Sequence, residues 1–401
     1  EAVAASTILA PTLQSVHDMG GRNLSIVVYC TIVGFAVLYA TQPLLPLLAE
    51  RWDRPIGDTA LLTTATMIPL ALGPLLYGYV LEHVSTQHML VVGFAVLTLA
   101  QFAISLGPDY PLFFTLRTLQ GMMLPAIFTA LMTYSSAAGG RDRTRRNITV
   151  YIAASIAGGY CGRAVSGLLT DLFGWQTAFL FWACGALLAT WLATRLDSDP
   201  RLRMGKVRLA EIRSLASRPV YAEGLASAFL LFFVFAAVLN FLPFHMRDND
   251  PTISQGAIGL VYTGYLVGIL ISLASLHLIR MFGGERRTLV VGSLVYLAGT
   301  AAFALPGNHW AYASMLVFAA GMFTLHSVLS AFLNHLETER KGLVNGLYVS
   351  AYYAGGALGS YFPGFLYQKI GWTAFILLLL LLLGALTGLC VMLRHTPERP
   401  R

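Results

Sequence analysis

Charge is what this sequence lacks most. Of its 401 residues only 11% are Asp, Glu, Lys or Arg, against 56% hydrophobic, whereas an ordinary soluble domain is about 25% charged. No soluble core of this length could bury so much apolar surface, which leaves lipid as the solvent. The mean hydropathy of +0.67 agrees. Cysteine is scarce too. Cys30, Cys161, Cys184 and Cys390 stand apart inside apolar stretches; that scatter excludes a disulfide framework or metal-ligand spacing and reads as four small apolar side chains. The His88-Met89, His245-Met246 and His277/Met281 pairs lie at different helix ends on opposite sides of the membrane, so no metal is expected. Walker-type GxxxxGKS/T, HExxH and GxSxG are all missing, so neither an enzyme, ATP nor a cofactor is expected. The opening EAVAASTILAPTLQSVHDMGGRN lacks a charged start, an apolar run and a cleavage site, and no signal peptide is expected there.

What the chain has instead is apolar runs. Stretches long enough to cross ~30 Å of hydrocarbon fall near 24–48, 59–82, 88–107, 110–138, 148–173 and 175–195, then near 220–246, 255–281, 288–306, 309–336, 342–370 and 372–394. They predict an all-α integral membrane protein of twelve transmembrane helices. The polar stretch 196–219 divides them into six-helix bundles over 24–195 and 220–394, with short ends at 1–23 and 395–401. With the N-terminus inside, 20 of the 26 Lys and Arg residues fall in cytoplasmic segments. That asymmetry places both termini in the cytoplasm. The net charge of +7 is then a topology signal, and no nucleic-acid partner is expected.

One stretch is written twice. AGGYCGRAVSGLLTDLFGW (157–175) returns 197 positions later as AGGALGSYFPGFLYQKIGW (354–372), with eight of nineteen positions matching and Tyr151/Tyr348 keeping the same offset. A period of half the chain marks a duplicated unit. Two halves in one orientation describe a parallel repeat about an axis along the membrane normal, with a substrate site between the halves near mid-membrane. Gly158, Gly162 and Gly167 on the fifth span, with Gly355 and Gly359 on the eleventh, let helix backbones approach closely. The expectation is that these spans pack against helices of the opposite half and slide past them.

On these residues the chain resembles the major facilitator superfamily along its length. LRTLQG (116–121) resembles the family's R-x-x-Q-G motif at Arg117, Gln120 and Gly121. The fifth span resembles its antiporter motif at Gly158, Gly162 and Gly167, with Arg163 where the proline belongs and Ser166 in place of a glycine. LYATQPLLPLLAE (38–50), CGRAVSG (161–167), YAEG (221–224), HSVLSAF (326–332) and GLYVSAYYAGGALGS (346–360) resemble the YnfM-like (acriflavine-sensitivity) drug/proton antiporter branch. The resemblance implies a monomeric secondary transporter of the bacterial inner membrane, coupled to protons, with spans 1, 4, 7 and 10 lining the cavity. GYVLEHVSTQH (78–88) departs from the family's loop motif, with Glu82 for the aspartate and no Lys or Arg, so the charge-paired latch that the resemblance implies lacks its basic residues in the first half.

Ionisable groups within spans are functional candidates by default. Arg117 is expected in coupling or gating, or paired with helix-end carbonyls. Arg163 is expected at substrate charge or in an outer polar network. His326, on the tenth span, suits proton coupling or a neutral hydrogen-bonded role; Glu223 suits coupling or a helix-dipole contact in its first turn. Tyr39, Gln42, Gln120, Asn240, Phe233, Met322 and Tyr352 complete the candidate cavity. Aromatic and Met surfaces suit amphiphilic ligands. The function expected is therefore proton-coupled efflux of small amphiphilic or drug-like compounds, the alternative being transport of an anionic metabolite or siderophore.

Overall fold

The computed structural model describes residues 21–136, 141–196, 209–336 and 341–393. The segment 1–20, most of the linker, the tail and the side chains of 74–83, with Glu82 of the variant loop motif, lie outside the described residues. The first half comprises α1 (Gly21–Tyr39, continued by Leu45–Trp52), α2 (Ile56–His83), α3 (Thr86–Ser105), α4 (Tyr110–Ser136), α5 (Arg141–Phe173) and α6 (Trp175–Ala193). A short linker helix, Leu209–Ala216, precedes α7 (Pro219–Asn249), α8 (Gln255–Val261 and Val267–Met281), α9 (Glu285–Ala302), α10 (Asn308–His335), α11 (Lys341–Gly359, then Pro363–Ile370) and α12 (Trp372–Met392). Ten of these segments are long and apolar enough to span a bilayer; the more polar α9 and α11 fill the two remaining places. Below, the end of the bundle nearest the linker helix is the linker side and the opposite end the distal side.

Within each half the same neighbours recur: α1 packs on α5 and α7 on α11, α2 on α4 and α8 on α10, α3 on α6 and α9 on α12. The halves meet along two seams, α2–α11 and α5–α8.

As expected, α5 and α11 meet the opposite half, at α8 and α2, but Gly158, Gly162, Gly355 and Gly359 are not the residues that face it. A methyl added at Gly158 would stand 2.5 Å from the Ile32 carbonyl oxygen, and one at Gly162 would stand 2.7 Å from Ala36 Cα. Both lie on α1, in the same half. Gly355 and Gly359 press in the same way on Phe229 and Phe233 of α7. Four-residue glycine spacing thus welds α5 to α1 and α11 to α7 inside their own halves. Contact with the opposite half comes from the other face of α5, where Gly167 meets Gln255 and Gly256 of α8. The spacing specifies close approach but not the partner.

Candidate functional site

The site begins with a fault in α1. Pro43 and Pro46 have no N–H to give, so the helix stops at Tyr39, makes one tighter turn over Gln42–Leu44 and resumes at Leu45. Carbonyls in the last turn before such a break have no helical partner. Arg117 supplies it. Its Nη1 donates to the Val37 carbonyl (3.0 Å) and Nη2 to that of Leu38 (2.8 Å), while Nε donates to the Leu62 carbonyl of α2 (3.2 Å). Nη1 also donates to Gln120 Oε1 at 2.8 Å. Gly121, one residue on, lets α4 come this close: a methyl there would stand 2.7 Å from Thr66 Cα. Arg117, expected in coupling or against helix-end carbonyls, holds three carbonyls and is buried with Gln120.

Arg163 sits beside the same fault. Nε donates to Gln42 Oε1 and Nη1 to the Gly159 carbonyl, each at 2.7 Å. The guanidinium lies 4.0 Å from the ring centre of Tyr39 and 5.0 and 5.2 Å from those of Tyr262 and Tyr265 on α8. A guanidinium over tyrosine faces is favoured electrostatically, the more so when desolvated. One side chain thereby joins α5 and α1 of the first half to α8 of the second. In the repeat its counterpart is Ser360, which meets Thr64 of α2 at 2.7 Å and whose carbonyl accepts from Asn240 Nδ2 at 2.8 Å. At this equivalent position the two seams are therefore bridged differently, by a charged side chain at α5–α8 and by hydroxyls at α2–α11.

His326 is half-buried on α10. Its Nδ1 shares a 2.8 Å hydrogen bond with the Tyr348 hydroxyl, and its ring lies 4.8 Å from that of Tyr352. Rings connect it to the arginine cage: Tyr352 stacks on Phe232 at 3.9 Å, Phe232 on Phe235 at 6.2 Å, and Phe235 faces Tyr265 at 5.8 Å. Tyr39, Gln42, Arg163, Tyr352 and His326 are thus brought together along one aromatic path. Phe233 is half-buried beside Phe229 (6.0 Å). Asn240 is tied to the α2–α11 seam, and Met322 is wholly buried in α10. Glu223 is not brought to the path; it lies one turn into α7 on the linker side, its carbonyl taking the Ser227 hydroxyl at 2.7 Å. Among the described residues two arginines are buried and no Asp or Glu is.

Known proteins share this architecture. A profile described as Major Facilitator Superfamily matches residues 27–275 and 246–401. The chain belongs to the Major Facilitator Superfamily. Among curated relatives, the inner membrane transport protein YnfM of Escherichia coli (strain K12) is 25% identical over 360 residues, covering 87% of this chain and 85% of its own. The uncharacterized MFS-type transporter YybF of Bacillus subtilis (strain 168) is 24% identical, covering 84% and 85%. Two solved structures have the same fold at a TM-score of 0.75. One is a mutant of the nucleoside transporter NupG, 13% identical and covering 92% of this chain and 98% of its own. The other is a bacterial homolog of the human lysosomal transporter Spinster in an inward-facing, occupied conformation, 11% identical, covering 92% and 96%. This superfamily member is therefore a multi-pass membrane transporter of small molecules and not an enzyme.

Reading the sequence alone missed Tyr262, Tyr265 and Tyr348 as partners of the two ionisable groups. Tyr348 carried a signal, since it repeats Tyr151 at the 197-residue offset. Tyr262 and Tyr265 are three apart, and only a helix known to face α5 would give that spacing a meaning.

Proposed function

We propose that this chain is a proton-coupled secondary transporter that exports small aromatic amphiphiles across a bacterial inner membrane by alternating access, working as a monomer with both termini cytoplasmic. The observation that carries the substrate class is the aromatic path from Arg163 to His326. It offers ring faces throughout and, among the described residues, buried positive charge without a buried carboxylate. Beside the cage Gln42 Nε2 is a buried donor without a partner. Uncompensated positive charge disfavours lipophilic cations and favours neutral or anionic compounds, which also supports the reading as transporter of an anionic metabolite. The proton is assigned to His326, the imidazole on the path.

Ligands that bind the folded state raise its stability by mass action, about 2.7 kcal/mol at a hundred times Kd. Aromatic carboxylates are expected to raise the melting temperature of the purified protein and to lose that effect in Arg163→Ala. Lipophilic cations are expected to do neither. Stabilisation by cations alone, unchanged in Arg163→Ala, would overturn the assignment. In proteoliposomes His326→Ala is expected to retain exchange of internal for external substrate but to lose uphill transport driven by a pH gradient. Undiminished uphill transport in that variant would remove histidine as the proton carrier.

A further inference from the structure

The 197-residue offset gives each residue of the α5–α8 seam a counterpart in the α11–α2 seam, and near the distal end the counterparts are chemically unlike. Asp171 on α5 corresponds to Gln368 on α11, and Gln255 and Gly256 at the start of α8 correspond to Asp58 and Thr59 on α2. Asp58 faces Arg54 at 3.6 Å, within its own half. Asp171 instead reaches across. Its Oδ1 accepts from the Gln255 amide and its Oδ2 from the Gly256 amide, each at 2.8 Å.

The first amides of a helix have no intrahelical acceptor. At α8 the Ser254 hydroxyl takes that of Ala257 (3.1 Å), and the two before it, of Gln255 and Gly256, are taken by a carboxylate from the other half. Hydrogen bonds to a charged group are about twice as strong as neutral ones. The backbones are shaped for the contact: a methyl on Gly256 would stand 2.6 Å from Asp171 Oδ2, and Gly167 lies directly on the Gln255 carbonyl. With its amide oriented to suit both neighbours, Gln255 donates to the Pro43 carbonyl in the fault of α1 (2.9 Å) and accepts from Arg247. Arg247 faces Glu50 of the first half at 3.8 Å. The turn leading into α8 is held by Asp250, which accepts from the Thr252 hydroxyl (2.6 Å) and amide (2.9 Å); these bonds lower its carboxyl below the ordinary aspartate range. Toward the linker side the seam loosens. There α5 and α8 enclose a cleft of about 50 Å³ bordered by Thr149, Ile152, Ala153, Ile269, Ser272 and Leu273.

We propose that Asp171 is the latch of the distal gate: its carboxylate ties α8 to α5, and releasing it is the step that lets the distal side open. The α5–α8 seam is the controlled one; the α2–α11 seam, bridged by the Thr64–Ser360 hydroxyl pair, follows. This goes beyond the transport reading above, because it concerns which residue sets the conformation and is independent of the substrate.

The test reads conformation directly. In a background with the four cysteines replaced, spin labels at Leu106→Cys and Leu305→Cys mark the distal ends of the two halves; labels at Thr194→Cys and Met392→Cys mark the linker side. Asp171→Asn keeps the shape but loses the second acceptor and the charge. It is expected to raise the long-distance distal population several-fold and to shorten the linker-side distance, while Gln368→Ala changes neither. Distances equal to the parent's, or a lowered melting temperature with unmoved distances, would overturn the latch and leave a merely structural contact. Should Asp171→Asn fail to fold, the pair Asp171→Cys/Gly256→Cys decides. Its oxidation is expected to stop transport and a reductant to restore it; flux that continues through the cross-linked protein would overturn the proposal.

Discussion

Arg117→Met is expected to abolish accumulation of folded protein rather than to give a stable but inactive transporter. The guanidinium makes four bonds of 3.2 Å or shorter, three of them to the backbone carbonyls of Val37, Leu38 and Leu62. Methionine removes all the donors and leaves every acceptor in place, away from water. A buried polar group stripped of its partner costs about 1–3 kcal/mol. Between membrane helices measured bonds average lower, about 0.6 kcal/mol, so the four together are worth at least about 2 kcal/mol and on the upper figure several times that. Total stabilities run to only about 5–15 kcal/mol. Burying the arginine was itself expensive, but that cost is recovered only when the acceptors go with it. Arg117→Lys is expected to fall between, because one ammonium cannot reach α1 and α2 at once. Yield by fluorescence-detected gel filtration and melting temperature check this. If Arg117→Lys folds with the parent's melting temperature and has lost only uphill transport, the residue is a coupling group and the account of it as a strut for the fault in α1 fails.

The twelve spans, the two halves and the repeat were legible because they depend on quantities carried along the chain: apolar length, charge placement and an offset. Arg163 was legible as an anomaly, an arginine in a glycine-rich span whose repeat has serine. What it touches was not. A helix with its face known can still point that face at any of several neighbours, and choosing among them takes the packing of all six helices. The same gap explains the glycines. Spacing announced a close contact, and the structure assigns that contact to α1 and α7, where the sequence suggested the opposite half. The fault in α1 lay in plain view as Pro43 and Pro46, yet its consequence, carbonyls held by an arginine about 80 positions away, rests on the close approach of α4 to α2 at Gly121. Asp171 was invisible because its partners are backbone amides, which every residue except proline carries.

The glycine weld gives a second large effect with the opposite logic, since it adds atoms rather than removing them. Exposed in a helix, Gly→Ala gains up to about 1 kcal/mol of helix propensity. Gly384 of α12, with nothing within 4 Å of an added methyl, is the reference, and Gly384→Ala is expected to be neutral or slightly stabilising. At Gly162 the same methyl would stand 2.7 Å from Ala36 Cα, and at Gly158 2.8 Å from Ile32 Cα. These obstacles are backbone and cannot rotate away. Overpacking of a few atoms costs about 1–3 kcal/mol in a close-packed core, so the propensity gain is overwhelmed and α1 must retreat from α5. Retreat carries Tyr39 and Gln42 off Arg163. Gly162→Ala is therefore expected to lower the melting temperature by several degrees and to weaken ligand stabilisation with it, and Gly158→Ala/Gly162→Ala to prevent folding. Were the glycine face a sliding surface between halves, the alanine variant would instead favour one conformation and spare the stability of the other. The spin-label pairs separate the two cases. Inside a weld, Gly162→Ala leaves the balance of distal and linker-side distances unchanged while the whole protein becomes less stable. A shift in that balance at unchanged melting temperature would return the seam to the interface between the halves.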